Sequence, residues 1–268
     1  MFGKKNQTTL PEQDFPFWLV AAGGIAVFLL FQIATDEIYS QVMATVSRGI
    51  GLTVFVTLTG FFLASVLGLL LALASLSGSI VLRQAARFYV EIVRGLPILV
   101  LLLYIAFVAT PLIIAGLNAV LEPLGLTALR TRDFPLLWRA IAALTIGYSA
   151  FIAEVFRAGI QAVDAGQIEA AKALGMTGWQ RFRLIVFPQA LKTILPPLGN
   201  DFVAMIKDSS LVSVLGVADI TQLGKIYAAG SFRYFETYNV VALIYLMMTI
   251  TLSLALRKFE RTRDVGGR

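Results

Sequence analysis

The chain has 268 residues, 58% hydrophobic and 14% charged, with a mean hydropathy of +0.81 and a formal net charge of +6. Such apolarity excludes a water-soluble catalytic domain, and in so apolar a chain the basic excess belongs with cytoplasmic loops and membrane lipids, with no nucleic acid partner. With no cysteine and no histidine, the sequence excludes disulfides, thiolate and imidazole chemistry and the usual zinc or copper sites, so no metal or cofactor is expected on it.

Lipid forces every backbone polar group into internal hydrogen bonds, so repeated apolar runs of spanning length predict an all-α, polytopic membrane helical bundle. The first run, 15–35, follows Lys4 and Lys5 and can cross ~30 Å of hydrocarbon. A cleaved signal peptide is the competing reading. The run is longer than a typical signal-peptide core, and Gln32 before Ala34 breaks the small-residue cleavage pattern, which favours a retained anchor.

The uncharged run 49–82 exceeds one span and predicts a helix over about 52–76, ended by Ser77-Gly78-Ser79. Gly60, Ala64 and Gly68 recur at four-residue spacing, a stripe that admits a neighbouring helix closely, although glycine is also simply common in membrane helices. A basic segment with Arg83, Arg87, Glu91 and Arg94 ends at Gly95-Leu96-Pro97. The third span is predicted over about 97–117, with a kink or early end at Pro111. A mixed loop, 118–137, precedes the fourth span, about 138–160, which carries Glu154 and Arg157 near its far end.

Two capping-box patterns then stand close together, Asp164 with Gln167 and Thr177 with Gln180. They predict two short helices meeting at Gly175, which suits the left-handed position that ends the first. By periodicity alone this element could equally be an amphipathic hairpin resting on the membrane surface. The fifth segment, about 193–214, holds Asn200, Asp201, Lys207, Asp208, Ser209 and Ser210, a load that a lipid-facing helix does not tolerate. The last span, about 238–256, ends in Arg257, Lys258, Arg261 and Arg263. With the N-terminus inside, the basic loops and both termini fall on the cytoplasmic side, giving about six spans.

The polar groups inside the membrane are the candidate substrate pathway: Glu154, Asn200, Asp201, Lys207, Asp208, Ser209 and Ser210. Asp201 and Asp208, seven apart, share a helix face, and Asn200 and Lys207 share the adjoining one. Alternatively these charges satisfy one another within the bundle, and Glu154 pairs with Arg157 near the cytoplasmic interface. Glu91, Arg94, Gly95 and Pro97 suit gate-lining or structural roles.

The order Glu169-Ala170-Ala171, three residues, Gly175, nine residues, Ile185-x-Phe187-Pro188 resembles the EAA loop of bacterial ABC importer permeases. It departs from the usual Ile-x-Leu-Pro ending only in Phe187. The segments TVFVTLTGFFLASVLGLLLALA, RFYVEIVRGLPILVLLLY, YSAFIAEVFRAGIQAV and LGNDFVAMIKDSSLVSVLGV are similar to the polar amino-acid subfamily, of the histidine, glutamine, arginine or glutamate type. VEIVRGLP together with IKDSSLVSVLGV points away from sugars, phosphate and oligopeptides.

The resemblance implies a type I ABC importer permease fold with a cytoplasmic coupling helix. Residues 1–48 would form a tail, an extra helix and a short periplasmic segment, 49–260 the permease domain with its loop at 164–188, and 261–268 a cytoplasmic tail. Glu169, Ala170, Ala171, Gly175 and Arg181 would couple to an ATPase groove, where the small side chains of Ala170 and Ala171 allow close approach. The implied partners are two ATPase subunits that carry ATP and Mg, a second permease copy or paralogue, and an extracytoplasmic amino-acid-binding protein. The expected place is the bacterial inner membrane, and the expected mechanism is alternating access. No GxxxxGK[ST] phosphate loop occurs, so the chain is expected not to be an enzyme. The competing reading is an ion-gradient-driven secondary transporter or channel, for which no internal repeat is evident.

Overall fold

The computed structural model describes residues 17–265, and those residues contain helices and turns but no strand. The expectations on Lys4 and Lys5 lie outside the described residues, as do the side chains of Arg261 and Arg263. In chain order the helices are α1 (Phe17–Thr35), α2 (Glu37–Val46), α3 (Ile50–Ser75), α4 (Ile80–Gly95), α5 (Ile98–Tyr104) and α6 (Thr110–Leu121). They continue with α7 (Leu136–Gln161), α8 (Ala165–Ala173), α9 (Gly178–Arg181), α10 (Phe187–Asp208), α11 (Ile220–Ser231) and α12 (Tyr234–Val265).

Among the described residues four stretches are long and apolar enough to cross a membrane: Glu37–Ser75, Ile98–Leu124, Leu136–Gln161 and Tyr234–Phe259. The other two expected spans are α1, whose apolar stretch Gly23–Thr35 is shorter, and the charged α10.

The centre of the bundle is the pair α3 and α7. Gly60, Ala64, Gly68 and Ala72 are all buried on α3. A Cβ on Gly68 would lie 3.0 Å from the Ser149 carbonyl oxygen and 3.1 Å from the Ala153 nitrogen, so the small-residue stripe is a helix contact and more than a compositional habit. Val56, Ala64, Leu102, Leu144, Ile152 and Met205 form the fully buried centre, with contributions from α3, α5, α7 and α10.

Residues 36–48, expected as a short connecting segment, form a helix instead. Asp36 accepts from the backbone of Ile38 at 2.8 Å and Tyr39 at 3.2 Å, which caps α2. Tyr39, Val42 and Val46 are buried against Ile220, Val240 and Ile244, and one 3₁₀ turn, Ser47–Gly49, joins α2 to α3.

Pro111 does not end the third span. It sits in the first turn of α6, directly after a π-helical bulge over Ile105–Ala109, and the helix continues to Leu121. The Thr110 backbone N–H reaches back five residues to Ile105, which accommodates the missing proline donor by widening one turn. The same device recurs at Phe182–Val186, where the Phe187 N–H bonds to Phe182 and Pro188 follows.

Candidate functional site

The loop between α7 and α10 is built by its caps. Asp164 Oδ1 accepts from the Gln167 backbone at 3.2 Å and starts α8. The reciprocal half of that capping box is absent, because the Gln167 side chain accepts from Gln189 Nε2 at 2.6 Å instead. At the far end Gly175 has φ +73, its N–H bonds to Lys172 at 2.9 Å and that of Met176 to Ala171 at 3.1 Å. These paired bonds are a Schellman stop, for which glycine meets no Cβ penalty. Thr177 and Gln180 complete both halves of the second box, at 3.3 and 2.8 Å.

The second helix of the loop is not short, as expected, but passes from α9 through the π-bulge directly into α10. Arg181 donates to the Met176 carbonyl at 2.7 Å and braces the turn. Glu169, Ala170 and Leu174 are exposed, whereas Ala171 is 2% exposed, so only the first of the two alanines faces outward. Trp179, Phe182 and Phe187 form an exposed aromatic row with successive centroids 5.9 Å apart. Ile185 and Val186 pack inward with Val163, Ala190 and Ile194.

On α10 the expected polar cluster divides between two faces. Asp208 accepts from the Tyr148 hydroxyl at 2.7 Å. Asp201 turns its Oδ2 into the bundle, where no donor among the described residues reaches it. Ser209 is buried and donates to the Ile206 carbonyl at 2.7 Å, and Ser210 is half-buried. Asn200 and Lys207, about 100° round the helix from the carboxylates, are exposed. The ion pairs seen among the described residues include Glu154–Arg157 and Arg233–Glu236, and none joins Lys207 to Asp201 or Asp208.

Glu154 does not approach that cluster. It is bound by both Nε and Nη2 of Arg157, the former at 3.1 Å, and faces a separate cavity of about 340 Å³. Arg87, Glu91, Glu154, Arg157 and Gln161 supply its charged and polar wall. Arg94 lies 5.6 Å over the Phe151 ring, Gly95 ends α4 and Pro97 is the N-cap of α5.

Sequence reasoning missed a buried polar network around Asp219. This residue is fully buried and caps α11, accepting from the Gln222 backbone at 2.8 Å and from the Tyr245 hydroxyl at 3.1 Å. The adjacent Ile220 N–H donates to Thr53 Oγ1 at 3.3 Å, so α3, α11 and α12 meet there. The Asp-x-x-Gln spacing was the available signal. Arg139, also missed, is 7% exposed and carries no local pattern that marks it.

Residues 64–263 match the family described as "Binding-protein-dependent transport system inner membrane component". The chain is 35% identical over 226 residues to the "Probable amino-acid permease protein YxeN" of Bacillus subtilis (strain 168), covering 84% of this chain and 94% of that protein. It is 34% identical over 218 residues to the "Glutamine transport system permease protein GlnP" of Escherichia coli (strain K12), covering 81% and 92%. Among solved structures it resembles a chain of the "Crystal structure of an amino acid ABC transporter with histidines", with a TM-score of 0.68, 34% identity and coverage of 94% and 100%. The inward-facing MetNI methionine ABC transporter, at 22% identity, shares the fold, with a TM-score of 0.63 over 82% of this chain and 96% of that one.

Proposed function

The chain belongs to the family of binding-protein-dependent transport system inner membrane components, and from that membership we propose that it is the permease subunit of an ATP-driven ABC importer for polar amino acids. The observation that carries the coupling role is the Schellman-stopped, doubly capped loop, which holds Glu169, Ala170 and Leu174 outward at the end of α7 opposite loop 118–137. A rigid, exposed helix end can transmit displacement, and the chain has no phosphate loop of its own. ATP and Mg therefore belong to two partner ATPase subunits, and the loop receives their motion through Glu169, Ala170 and the Gly175 turn.

Lys207 supports a second permease copy or paralogue. An exposed ammonium in a spanning helix is costly against lipid, so the Asn200–Lys207 face turns to a watery pathway completed by another subunit. A zwitterion's carboxylate would meet Lys207 and Asn200 there, while Asp201 and Asp208 hold the helix from behind. An extracytoplasmic binding protein delivers the substrate, closure of the ATPases opens the pathway outward, and hydrolysis resets it. The chain sits in the bacterial inner membrane with both termini in the cytoplasm.

The test is reconstitution of the chain with its ATPase and binding protein in vesicles, followed by uptake of labelled polar amino acids. Uptake should require ATP on the ATPase side. Uptake driven by a proton or sodium gradient without the ATPase would overturn the proposal in favour of a secondary transporter.

A further inference from the structure

Arg139 stands at the start of α7 with its guanidinium buried, and it donates to three backbone carbonyls. Nε reaches Phe134 at 2.8 Å, Nη2 reaches Thr131, and Nη1 reaches Ala106 at 3.1 Å. The first two acceptors lie in the loop that precedes α7. The third lies in the π-bulge of the preceding span, 33 residues away.

The sequence explains why Ala106 has a carbonyl to offer. Its ordinary helical donor, the Thr110 N–H, is taken by Ile105, and the donor five residues on would be Pro111, which has no N–H. Ala106 is fully buried, so water cannot serve the orphaned oxygen. The forked, planar guanidinium of Arg139 can serve it and still bond two loop carbonyls, which a lysine ammonium on its flexible stem does not match.

The rest of the loop is pinned as well. Asn118 exchanges two hydrogen bonds of 2.8 Å with the Leu129 backbone, and Asp133 accepts from the Arg130 N–H at 2.8 Å. The face it leaves outward carries Leu124 and Leu126, 68% and 56% exposed, and the side chains of Glu122, Arg130, Arg132 and Asp133, whose charges balance. This patch lies at the end of the bundle opposite the coupling loop, because α7 begins at one and ends at the other.

We infer that Arg139 is a positioning residue that locks the loop 125–135 onto the π-bulge made by Pro111, so that loop and bulge form one rigid seat, at the end of the bundle opposite the coupling loop, for the extracytoplasmic binding protein. The partner assignment rests on the permease reading above, while the lock stands on the geometry alone. A preformed seat lowers the ordering cost of docking, and a loosened one raises the concentration of partner needed.

The test uses the assembled transporter and three variants: Arg139→Met, Asn118→Ala and Arg139→Met combined with Pro111→Ala. Asn118 is half-buried and its bonds to Leu129 lie at the surface, so its variant loosens the loop without disturbing the buried guanidinium. Hydrogen exchange of amides 129–134 should quicken about tenfold or more in Arg139→Met and less in Asn118→Ala. The half-saturating concentration of binding protein for stimulated ATP hydrolysis should rise in the same order, with the maximal rate retained. Restoring an N–H at position 111 should recover part of both losses, since Ala106 then regains a main-chain donor. Unchanged exchange in both single variants would overturn the lock. Faster exchange with unchanged half-saturation would overturn the seat. Failure of the unaltered complex to respond to binding protein at all would refute the permease reading, and the exchange result would still decide the lock.

Discussion

The phenol of Tyr148 donates to Asp208 at 2.7 Å and so ties the middle of α7 to the last residue of α10. Tyr148→Phe keeps the ring and removes the donor. A half-buried carboxylate is then left without its partner, at a cost of about 1–3 kcal/mol. The variant should melt earlier than the parent in detergent, and Asp208→Asn, which still accepts from the phenol, should lose less. Equal melting of Tyr148→Phe and parent would mean that the contact does not hold the two helices.

Gly175 has a positive φ and no atom within 4 Å of a built Cβ, so backbone strain and not crowding limits this position. Alanine and valine should each weaken the turn by about 1–2 kcal/mol, whereas asparagine, which visits the left-handed region, should nearly match glycine. Co-purification with the ATPase should fall for Gly175→Ala and Gly175→Val and persist for Gly175→Asn, with membrane insertion the same in all three. A dependence on side-chain size instead would point to direct contact with the partner.

The two alanines of the loop should separate in assay. Ala170 is exposed, so Ala170→Arg should block ATPase association without lowering the melting temperature. Ala171 is buried, so Ala171→Arg should destabilise the permease itself by at least the ~1–3 kcal/mol typical of overpacking. If both variants bind the ATPase normally, the exposed face of α8 is not the coupling surface.

Three glycines facing α7 or α10 should rank by the space behind them. Gly68→Ala would press on the backbone of Ser149 and Ala153, and Gly159→Ala on Ile194 Cγ1, so each should cost about 1–3 kcal/mol. Gly60→Ala meets Met205 Sδ at 3.6 Å, an ordinary contact, and should be tolerated. Denaturation of the purified variants should give this order, and equal loss at all three sites would deny the close packing of α3, α7 and α10.

Much of the fold was legible because lipid leaves the backbone few choices. The runs that became α3, α7 and α12 are long and apolar; the ends of α3 and α7 lie within a few residues of the expected ones, whereas α12 starts before position 238 and runs on past the expected end at 256 to Val265. The caps at Asp164 and Thr177 and the turn at Gly175 were legible too, since each depends on residues three or four apart. The extent of α10 was not. Pro188 signals an interruption locally, but a π-bulge absorbs it and the helix runs on through Pro196 and Pro197 to Asp208.

The charges show the same division. Their helical spacing put Asp201 and Asp208 on one face and Asn200 and Lys207 on another, and the structure keeps that arrangement. Spacing could not say which face turned inward; it offered the Glu154–Arg157 pair as one of two alternatives, and the structure forms that pair in the wall of a different cavity.

By itself the sequence determined that this is a membrane bundle of helices, with a capped loop of the EAA kind and no GxxxxGK[ST] motif, because hydropathy, capping and motif spacing are short-range properties. Only the tertiary structure decided that Ala170 faces out while Ala171 faces in, that Tyr148 holds Asp208, and that Arg139 serves the carbonyl orphaned by Pro111. Each of these joins groups on different helices, or depends on which helix lies behind, and burial makes an unmet hydrogen bond costly only after the helices have packed.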